Sequence, residues 1–258
     1  MNFENQGNPI AIIKPDGDAK DKKIKNVPIL FVDSKKEAIR PFKELKLNEN
    51  EGKFQLIPNP ETERQILYVT GQSGSGKSYF TREYCNEFRR LFPKRNIYLF
   101  SSINDDSSID AIKGLQRIKL TPQLLNDEIT AEDFKDSLVI FDDTDCLTDK
   151  KMKLKVNGIL NSILETGRHY NTYCVFTSHL PCAGNDTKRI LNEAHSITFF
   201  PHSLGGRSLK YLLESYLGMD KHQIQKIKQL PSRWVSVQKT YPQVVLSEKE
   251  AYLISNDG

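Results

Sequence analysis

The chain has 258 residues, of which 38% are hydrophobic and 27% are charged, values that are typical of a globular protein. This length allows one large α/β domain with a small appendage, and no apolar run approaches the roughly 20 residues that a membrane-spanning helix requires. The net charge of +4 and the pI near 8.7 fall short of the strongly basic balance of a dedicated nucleic-acid binder. Net charge alone therefore does not identify the class of partner.

The amino terminus and the cysteines indicate the compartment. The first 20 residues lack a basic segment followed by an apolar core, so we expect neither a secretory leader nor a transit peptide, and we expect an intracellular protein. The cysteines contain no C-x-x-C pair and have no closely spaced histidine, which argues against a disulfide framework or a zinc site. We therefore expect reduced thiols at Cys85, Cys146, Cys174 and Cys182.

Residues 1–60 are predicted to form an N-terminal extension with short strands. Apolar runs at 10–13, 28–32 and 54–57 are separated by segments rich in lysine, proline, glycine and asparagine. The charged segment 16–26 is predicted to be a loop.

From residue 61 to the end of the chain, the pattern predicts an ATPase-type α/β domain. The β-prone run QILYVT leads into the glycine-rich GQSGSGKS, and Phe80, Tyr84 and Phe88 then follow at helical spacing. Further strands are predicted at 96–101, 137–143, 172–178 and 196–200. Helices are predicted at 122–134, with Thr121 as N-cap, and at 150–166 and 187–194. This alternation predicts a mainly parallel central sheet flanked by helices.

The segment beyond about residue 202 is predicted to be a helical and β appendage of this domain. Its helices are expected at 209–217 and 221–229, and its β-prone segments at 234–239 and 244–246.

The segment GQSGSGKS has the spacing G-x-x-x-x-G-K-[ST] of a phosphate-binding loop. Its glycines permit close approach of the backbone, and its amides together with the start of the following helix attract phosphate oxygens. We expect Lys77 to reach the β- and γ-phosphates and the Ser78 hydroxyl to bind Mg²⁺, so that ATP and Mg²⁺ are the cofactors. The predicted nucleotide-binding residues are Gly71, Gln72, Ser73, Gly74, Ser75, Gly76, Lys77 and Ser78.

A second element of such a site is the apolar strand LVIF, which ends in two carboxylates. We assign Asp142 to the metal and Asp143 to the attacking water, because the first acid of such a pair holds Mg²⁺ and the next can orient or deprotonate water. Asp145 is predicted to be a capping residue.

The order of the strands distinguishes classes of phosphate-loop proteins. Along the chain, the strand at 96–101 lies between the phosphate-loop strand and the acid strand. This insertion resembles the motor branch of RecA-like ATPases. In that branch a polar sensor ends the next strand, which here ends in Ser178 and His179. The resemblance implies that His179 senses the γ-phosphate, while a histidine hydrogen-bonded at a strand end is the alternative.

Hydrolysis also requires positive charge on the γ-phosphate, which an arginine of the same or a neighbouring subunit supplies. The candidates are Arg168, Arg189, Arg207 and Arg233. Arg168 lies just before the sensor strand, where it can face a nucleotide, and Arg189 lies in the helix after that strand, where it can point across a ring interface. A surface role is the alternative for each of them.

The combination of GQSGSGKSYFTREY, LVIFDD, GRHYNTYCVFTSHL and KRILNEAHSITFFP resembles the genome-packaging ATPases of large DNA viruses, relatives of the poxvirus packaging ATPase in the FtsK-HerA superfamily. The resemblance covers about residues 54–201. It implies a RecA-like P-loop fold and ATP hydrolysis that drives double-stranded DNA into a preformed capsid. The motor is expected to be a ring of five or six copies that engages a capsid or portal component, in the viral factory of the host cytoplasm and in the virion.

Two positions depart from related motors, which often have Glu at the position of Asp143 and Gln or Asn at the position of His179. DNA contact is expected from the basic stretch DKKMKLK, whose lysines can instead be solvated. These lysines are Lys150, Lys151, Lys153 and Lys155.

Two other functions remain open from the sequence. A nucleotide or small-molecule kinase shares the phosphate loop, although no arginine-rich lid is evident. The chain can also be a non-translocating assembly factor that binds ATP.

Overall fold

Runs of consecutive buried residues build two β-sheets in the computed structural model, which describes residues 1–15, 27–33 and 43–254. The strands are β1 (Asn8–Lys14), β2 (Ile29–Val32), β3 (Glu44–Lys46), β4 (Lys53–Leu56), β5 (Ile66–Thr70), β6 (Asn96–Ser101), β7 (Leu115–Arg117), β8 (Ser137–Asp142), β9 (Tyr173–Ser178), β10 (Ser196–Phe199), β11 (Val235–Gln238), β12 (Val244–Ser247) and β13 (Glu250–Leu253). The α-helices are α1 (Lys77–Leu91), α2 (Lys150–Thr166), α3 (Asn185–Glu193), α4 (Gly206–Tyr211) and α5 (Lys221–Gln229).

The central sheet has ten strands in the order β3-β13-β12-β11-β10-β5-β9-β8-β6-β7. All neighbouring pairs from β10 to β7 are parallel. The pairs from β10 outwards to β3 are antiparallel. The predicted α/β class with a mainly parallel central sheet is therefore confirmed, and β9 lies between the phosphate-loop strand β5 and the acid strand β8.

The central sheet separates two hydrophobic cores, because successive side chains of a strand point to opposite faces. In β8, Val139 and Phe141 pack on the core that contains the buried face of α2. Leu138 and Ile140 pack on the other core, together with α1 and the small sheet β2-β1-β4. Burial on both faces explains why the parallel strands are continuously apolar in sequence.

Helix α2 has the bounds that were predicted for it, residues 150–166. Its N-cap Asp149 accepts a hydrogen bond from the backbone N–H of Met152 at 2.8 Å. Met152, Val156, Ile159 and Ile163 recur at helical spacing and are buried against the sheet. The cap therefore sets where the helix begins, and the apolar stripe sets which face it buries.

The single helix predicted at 122–134 is wrong. The segment forms two 3₁₀ turns, Pro122–Leu125 and Ala131–Phe134. Thr121 occupies the N-cap position of the first turn but makes no capping hydrogen bond through its side chain. Thr130 and Asp133 form a capping box that starts the second turn afresh, so local hydrogen bonds interrupt a continuous helix.

Both ends of the chain contribute strands to the central sheet. The predicted N-terminal strands are present as β1, β2 and β4, whereas β3 pairs with β13 at the far edge of the central sheet. Strands β11 to β13 continue the same sheet beyond β10. The short strands β3, β7 and β13 were missed by the sequence patterns. The loop predicted at 16–26 lies outside the described residues.

The bounds of two other helices differ by a few residues from the predicted ones. The predicted helix 187–194 is α3, and the predicted helix 209–217 begins at Gly206 and continues beyond α4 as a π-helical turn, Leu212–Tyr216. Within the described ranges, no helix combines the length and apolarity that spanning a membrane requires.

Candidate active site

The loop from Gly71 to Gly76 joins the carboxyl end of β5 to α1, which begins at Lys77. Gly74 and Gly76 have φ angles of +75° and +113°, a backbone region that side chains disfavour. A Cβ atom at Gly71 would lie 2.6 Å from the Ser75 hydroxyl and 2.8 Å from the Phe200 ring. The glycines are therefore required by the backbone path and by close packing, as a phosphate-binding loop demands.

Lys77 is buried, with 6% of its surface exposed. Its Nζ donates to the carbonyl oxygen of Gly71 at 2.9 Å, so the ammonium group folds back under the loop. The same nitrogen lies 3.1 Å from His179 Nδ1 and 3.9 Å from Asp143 Oδ2. The structure thus joins the predicted lysine, sensor and water-activating acid in one cluster.

The tautomer of His179 follows from the contacts of its two ring nitrogens. An ammonium group can only donate, so Nδ1 accepts from Lys77. The proton of the neutral imidazole then lies on Nε2, which donates to Asp143 Oδ2 at 2.9 Å. His179 is therefore a bridge between the phosphate-loop lysine and the acid at the end of β8.

The Asp142 carboxylate is buried between the neighbouring strands β6 and β9, with 3% of the residue exposed. Oδ1 accepts from the Thr177 hydroxyl at 2.9 Å, and Oδ2 accepts from the Ser101 hydroxyl at 3.0 Å. Burial and the adjacent Asp143 raise the pKa of Asp142 to about 6, although both hydroxyl donors oppose the change. A carboxylate in this environment gains by binding a cation.

Asp143 has a left-handed backbone conformation, with a φ angle of 48°, and its N–H donates to the Thr177 hydroxyl at 3.0 Å. Thr177 accepts there and donates to Asp142, so one hydroxyl positions both acids. The Ser178 side chain points to the opposite face of the sheet from Thr177, because successive residues of a strand alternate between faces. Its hydroxyl donates to Asp145 Oδ2 at 2.6 Å. Asp145 therefore accepts from the sensor strand, and burial raises its pKa.

The residues present suit a nucleotide with Mg²⁺. The loop provides backbone amides at the start of a 15-residue helix, where anions are favoured, and the space around Gly74 is open. The Ser78 hydroxyl and the Asp142 carboxylate are hard oxygen ligands, the kind that Mg²⁺ prefers. The elevated pKa of Asp142 shows that a cation would relieve an unfavourable buried charge.

The structure places Arg168 and Arg189 away from this cluster. Arg168 forms an ion pair with Glu63, which lies just before β5, and Arg189 forms one with Glu165 at the end of α2. The end of α2 also lies at the amino edge of the sheet, because Arg64 donates to the carbonyls of its last turns. Strand β5 has five residues and thus spans roughly 17 Å, so both arginines lie far from the loop of their own chain.

Arg233 lies at the loop instead. Its Nε donates to the carbonyl oxygen of Ser75 at 3.1 Å. Of the four arginines considered from the sequence, it is the one for which the described residues show a contact with the loop. No such contact is described for Arg207, which is exposed on α4.

Sequence reasoning also missed Thr177 and Ser101, which hold Asp142. Both residues are polar positions at the ends of otherwise apolar strands, adjacent to the strand that carries the acids. That signal alone does not show which strands are neighbours.

The lysines at the start of α2 divide into two groups. Lys153 donates to the carbonyl oxygen of Asp145 at 2.9 Å, and Lys155 donates to that of Asp127. Lys150 and Lys151 are exposed on the first turn. This turn follows the acid strand, at the same edge of the sheet as the phosphate loop.

Comparison with known proteins identifies one relative in sequence and several similar folds. The uncharacterized protein V3 of the Sputnik virophage is 41% identical over 204 residues, which cover 78% of this chain and 81% of V3. The cytoplasmic domain of the type VII secretion ATPase EccC from Thermomonospora curvata is 10% identical with a TM-score of 0.51, over 100% of this chain and 30% of that one. The DNA-packaging ATPase B204 from Sulfolobus turreted icosahedral virus is 14% identical with a TM-score of 0.45, over 73% of this chain and 98% of B204.

No protein-family model matches the chain. The likeness to EccC, together with the strand order, shows that the predicted RecA-like P-loop fold is present.

Proposed function

The chain belongs to the same family as protein V3 of the Sputnik virophage, and we propose that it is an ATP-hydrolysing motor that moves double-stranded DNA, packaging a viral genome into its capsid. The observation that carries the proposal is the cluster of Lys77, Asp143 and His179, assembled where β9 lies between β5 and β8. A second acid, Asp143, follows Asp142 in this cluster, and this supports activation of water rather than of an acceptor hydroxyl.

The loop residues bind the phosphates in this proposal. The amides of Gly74, Ser75 and Gly76 donate to phosphate oxygens, and Lys77 moves from the Gly71 carbonyl to the β- and γ-phosphates. Ser78 and Asp142 hold Mg²⁺, which supplies charge neutralisation at the phosphates when it is bound. These roles are proposals that rest on the loop geometry and on the burial of Asp142.

Asp143 and His179 act on the attacking water. When Lys77 leaves for the phosphates, His179 Nδ1 loses its donor, while Nε2–H still holds the Asp143 carboxylate. Asp143 can then accept a proton from water or orient it towards the γ-phosphate. Where related motors often have Glu, the shorter Asp143 is held by its N–H bond to the Thr177 hydroxyl and by the Nε2–H of His179.

The partners proposed for this motor are double-stranded DNA, a capsid or portal component, and further copies of the chain in a ring of five or six. In such a ring Arg168 or Arg189 would serve a neighbouring subunit, since both lie far from the loop of their own chain. Its location would be the host cytoplasm during infection, and the virion. The viral origin of V3 supports a viral role.

Hydrolysis measured with and without double-stranded DNA tests the proposal. The wild-type protein should hydrolyse ATP faster when DNA is added, and the variants Lys77→Ala and Asp143→Asn should not hydrolyse ATP. The matched control is Lys94→Ala, which removes an exposed lysine before β6, at the amino edge of the sheet. Full turnover by Lys77→Ala would exclude this site, and a persistent monomer with ATP analogue and DNA would exclude the ring.

One feature favours a second candidate, a nucleotide or small-molecule kinase. A cleft of about 890 Å³ opens beside Ser101, the residue that holds Asp142, and Thr121 and Asp149 are among its lining residues. A cleft at the carboxyl ends of parallel strands can hold a phosphate acceptor. Hydrolysis that does not respond to DNA, together with phosphoryl transfer to an added acceptor, would favour the kinase.

A further inference from the structure

We propose that Arg233 binds the nucleotide within its own subunit, on the α- and β-phosphate side of the loop. The inference rests on the proposed nucleotide site and adds a ligand from outside the phosphate loop. No carboxylate of the described residues forms an ion pair with the Arg233 guanidinium, whereas Arg117, Arg168 and Arg189 are each paired with one. Its charge is therefore available to an anion.

The guanidinium lies across the last residues of the loop. Nε donates to the Ser75 carbonyl oxygen, and a Cβ atom at Gly76 would lie 3.2 Å from Nε and 3.3 Å from Nη2. Gly76 thus leaves space for the flat face of Arg233. An arginine in this position presents its remaining N–H groups beside the amides that cradle phosphate.

The strand order sets which side of the loop Arg233 approaches. Arg233 precedes β11, whose first residue Val235 pairs with Phe199 at the carboxyl end of β10. The sheet runs β11-β10-β5-β9-β8, so Arg233 approaches from one side of β5, and the acids and His179 approach from the other. The γ-phosphate is expected beside the acids, and Arg233 is therefore assigned to the α- and β-phosphates.

The residues around Arg233 hold its backbone in place. Its N–H donates to Glu248 Oε2 at 2.9 Å, and the buried Ser232 hydroxyl donates to the Trp234 carbonyl oxygen at 2.6 Å. The Trp234 ring packs edge-on against Phe80 of α1, with centroids 5.0 Å apart. This packing ties the start of β11 to the first turn of the phosphate-loop helix, so the position of Arg233 is built into the core.

Equilibrium binding of ADP, ATP and pyrophosphate, each with Mg²⁺, tests the assignment by displacement of a fluorescent ADP analogue. Arg233→Gln should weaken binding of all three by about tenfold or more, because a charge-assisted contact to the shared phosphates is lost. Arg233→Lys should recover part of the affinity, since lysine keeps the positive charge but lacks the planar, bidentate N–H donors of the guanidinium. Arg90→Gln, the same change at an exposed arginine near the end of α1, should bind like the wild type.

The outcomes separate the inference from the function on which it rests. Wild-type protein that binds none of the three probes would overturn the nucleotide site itself. Wild-type affinity in Arg233→Gln, with a lower melting temperature of the nucleotide-free protein, would overturn the inference. Arg233 would then only stabilise the fold through its hydrogen bond to Ser75. Weaker binding of ATP alone would also overturn it, because that result places Arg233 at the γ-phosphate.

Discussion

His179 Nδ1 lies 3.1 Å from Lys77 Nζ, and its Nε2 lies 2.9 Å from Asp143 Oδ2. One imidazole therefore contacts both the group expected to leave for the phosphates and the group expected to activate water. The hydrogen bonds give it a defined tautomer, with the proton on Nε2.

We expect His179→Ala to lower kcat for ATP hydrolysis by roughly 10- to 100-fold, because Asp143 loses the donor that orients it. KM for ATP should change less than about threefold, because the loop and Lys77 remain. The control is His202→Ala, which removes a histidine that contacts the Leu230 carbonyl oxygen instead of the acid cluster. Equal losses in the two variants, or a rise in KM with unchanged kcat, would contradict this role.

Asp142→Asn should stabilise the metal-free protein at pH 8. The folded-state pKa of about 6 lies above the ordinary value of 3.8, so the folded protein binds this proton more tightly than the unfolded chain. The tighter binding of this proton adds fully to the free energy of unfolding below about pH 3.8. This contribution is lost as the pH rises through 6. At pH 8 the buried charge costs up to roughly 3 kcal/mol, which the amide avoids.

Urea unfolding in the presence of EDTA, at pH 4 and at pH 8, measures this difference. The advantage of Asp142→Asn over the wild type should be present at pH 8 and nearly absent at pH 4. Asp105→Asn changes an exposed aspartate in the loop after β6 and should show no such pH dependence. The same free energy of unfolding for wild type and Asp142→Asn at both pH values would refute the prediction.

Arg168→Gln and Arg189→Gln should each leave nucleotide affinity within about twofold of the wild type, because neither side chain reaches the loop of its own chain. The arginine that acts across the ring interface should lower turnover by about 10³-fold when it is replaced. Mixing that variant with Lys77→Ala subunits should restore activity, since the first has an intact loop and the second an intact arginine. Full turnover by both arginine variants would exclude this role for either residue.

Lys150→Gln combined with Lys151→Gln should weaken DNA stimulation and reduce the slope of log affinity against log salt by about 2, one for each lost phosphate contact. Hydrolysis without DNA should not change, because neither lysine belongs to the acid cluster. Lys94→Gln combined with Lys221→Gln removes the same charge from exposed positions elsewhere. If both pairs alter the slope equally, the effect is one of net charge and not of a local DNA contact.

The local features of this protein were determined by the sequence. The loop GQSGSGKS, the apolar strands around it, and helix α2 with its Asp149 cap and apolar stripe depend on neighbours within about one turn or strand, so spacing and residue type predict them. The helix predicted at 122–134 failed for a local reason too, since the capping box at Thr130 competes with a continuous helix.

The assembly of the site was decided by the tertiary structure. Thr177 and Ser101 hold Asp142 because β9 and β6 flank β8, and Arg233 reaches Ser75 because β11 pairs antiparallel with β10. These contacts join residues between 35 and 158 positions apart in the chain. Strand order brings them together, and a single sequence does not encode that order in any local period.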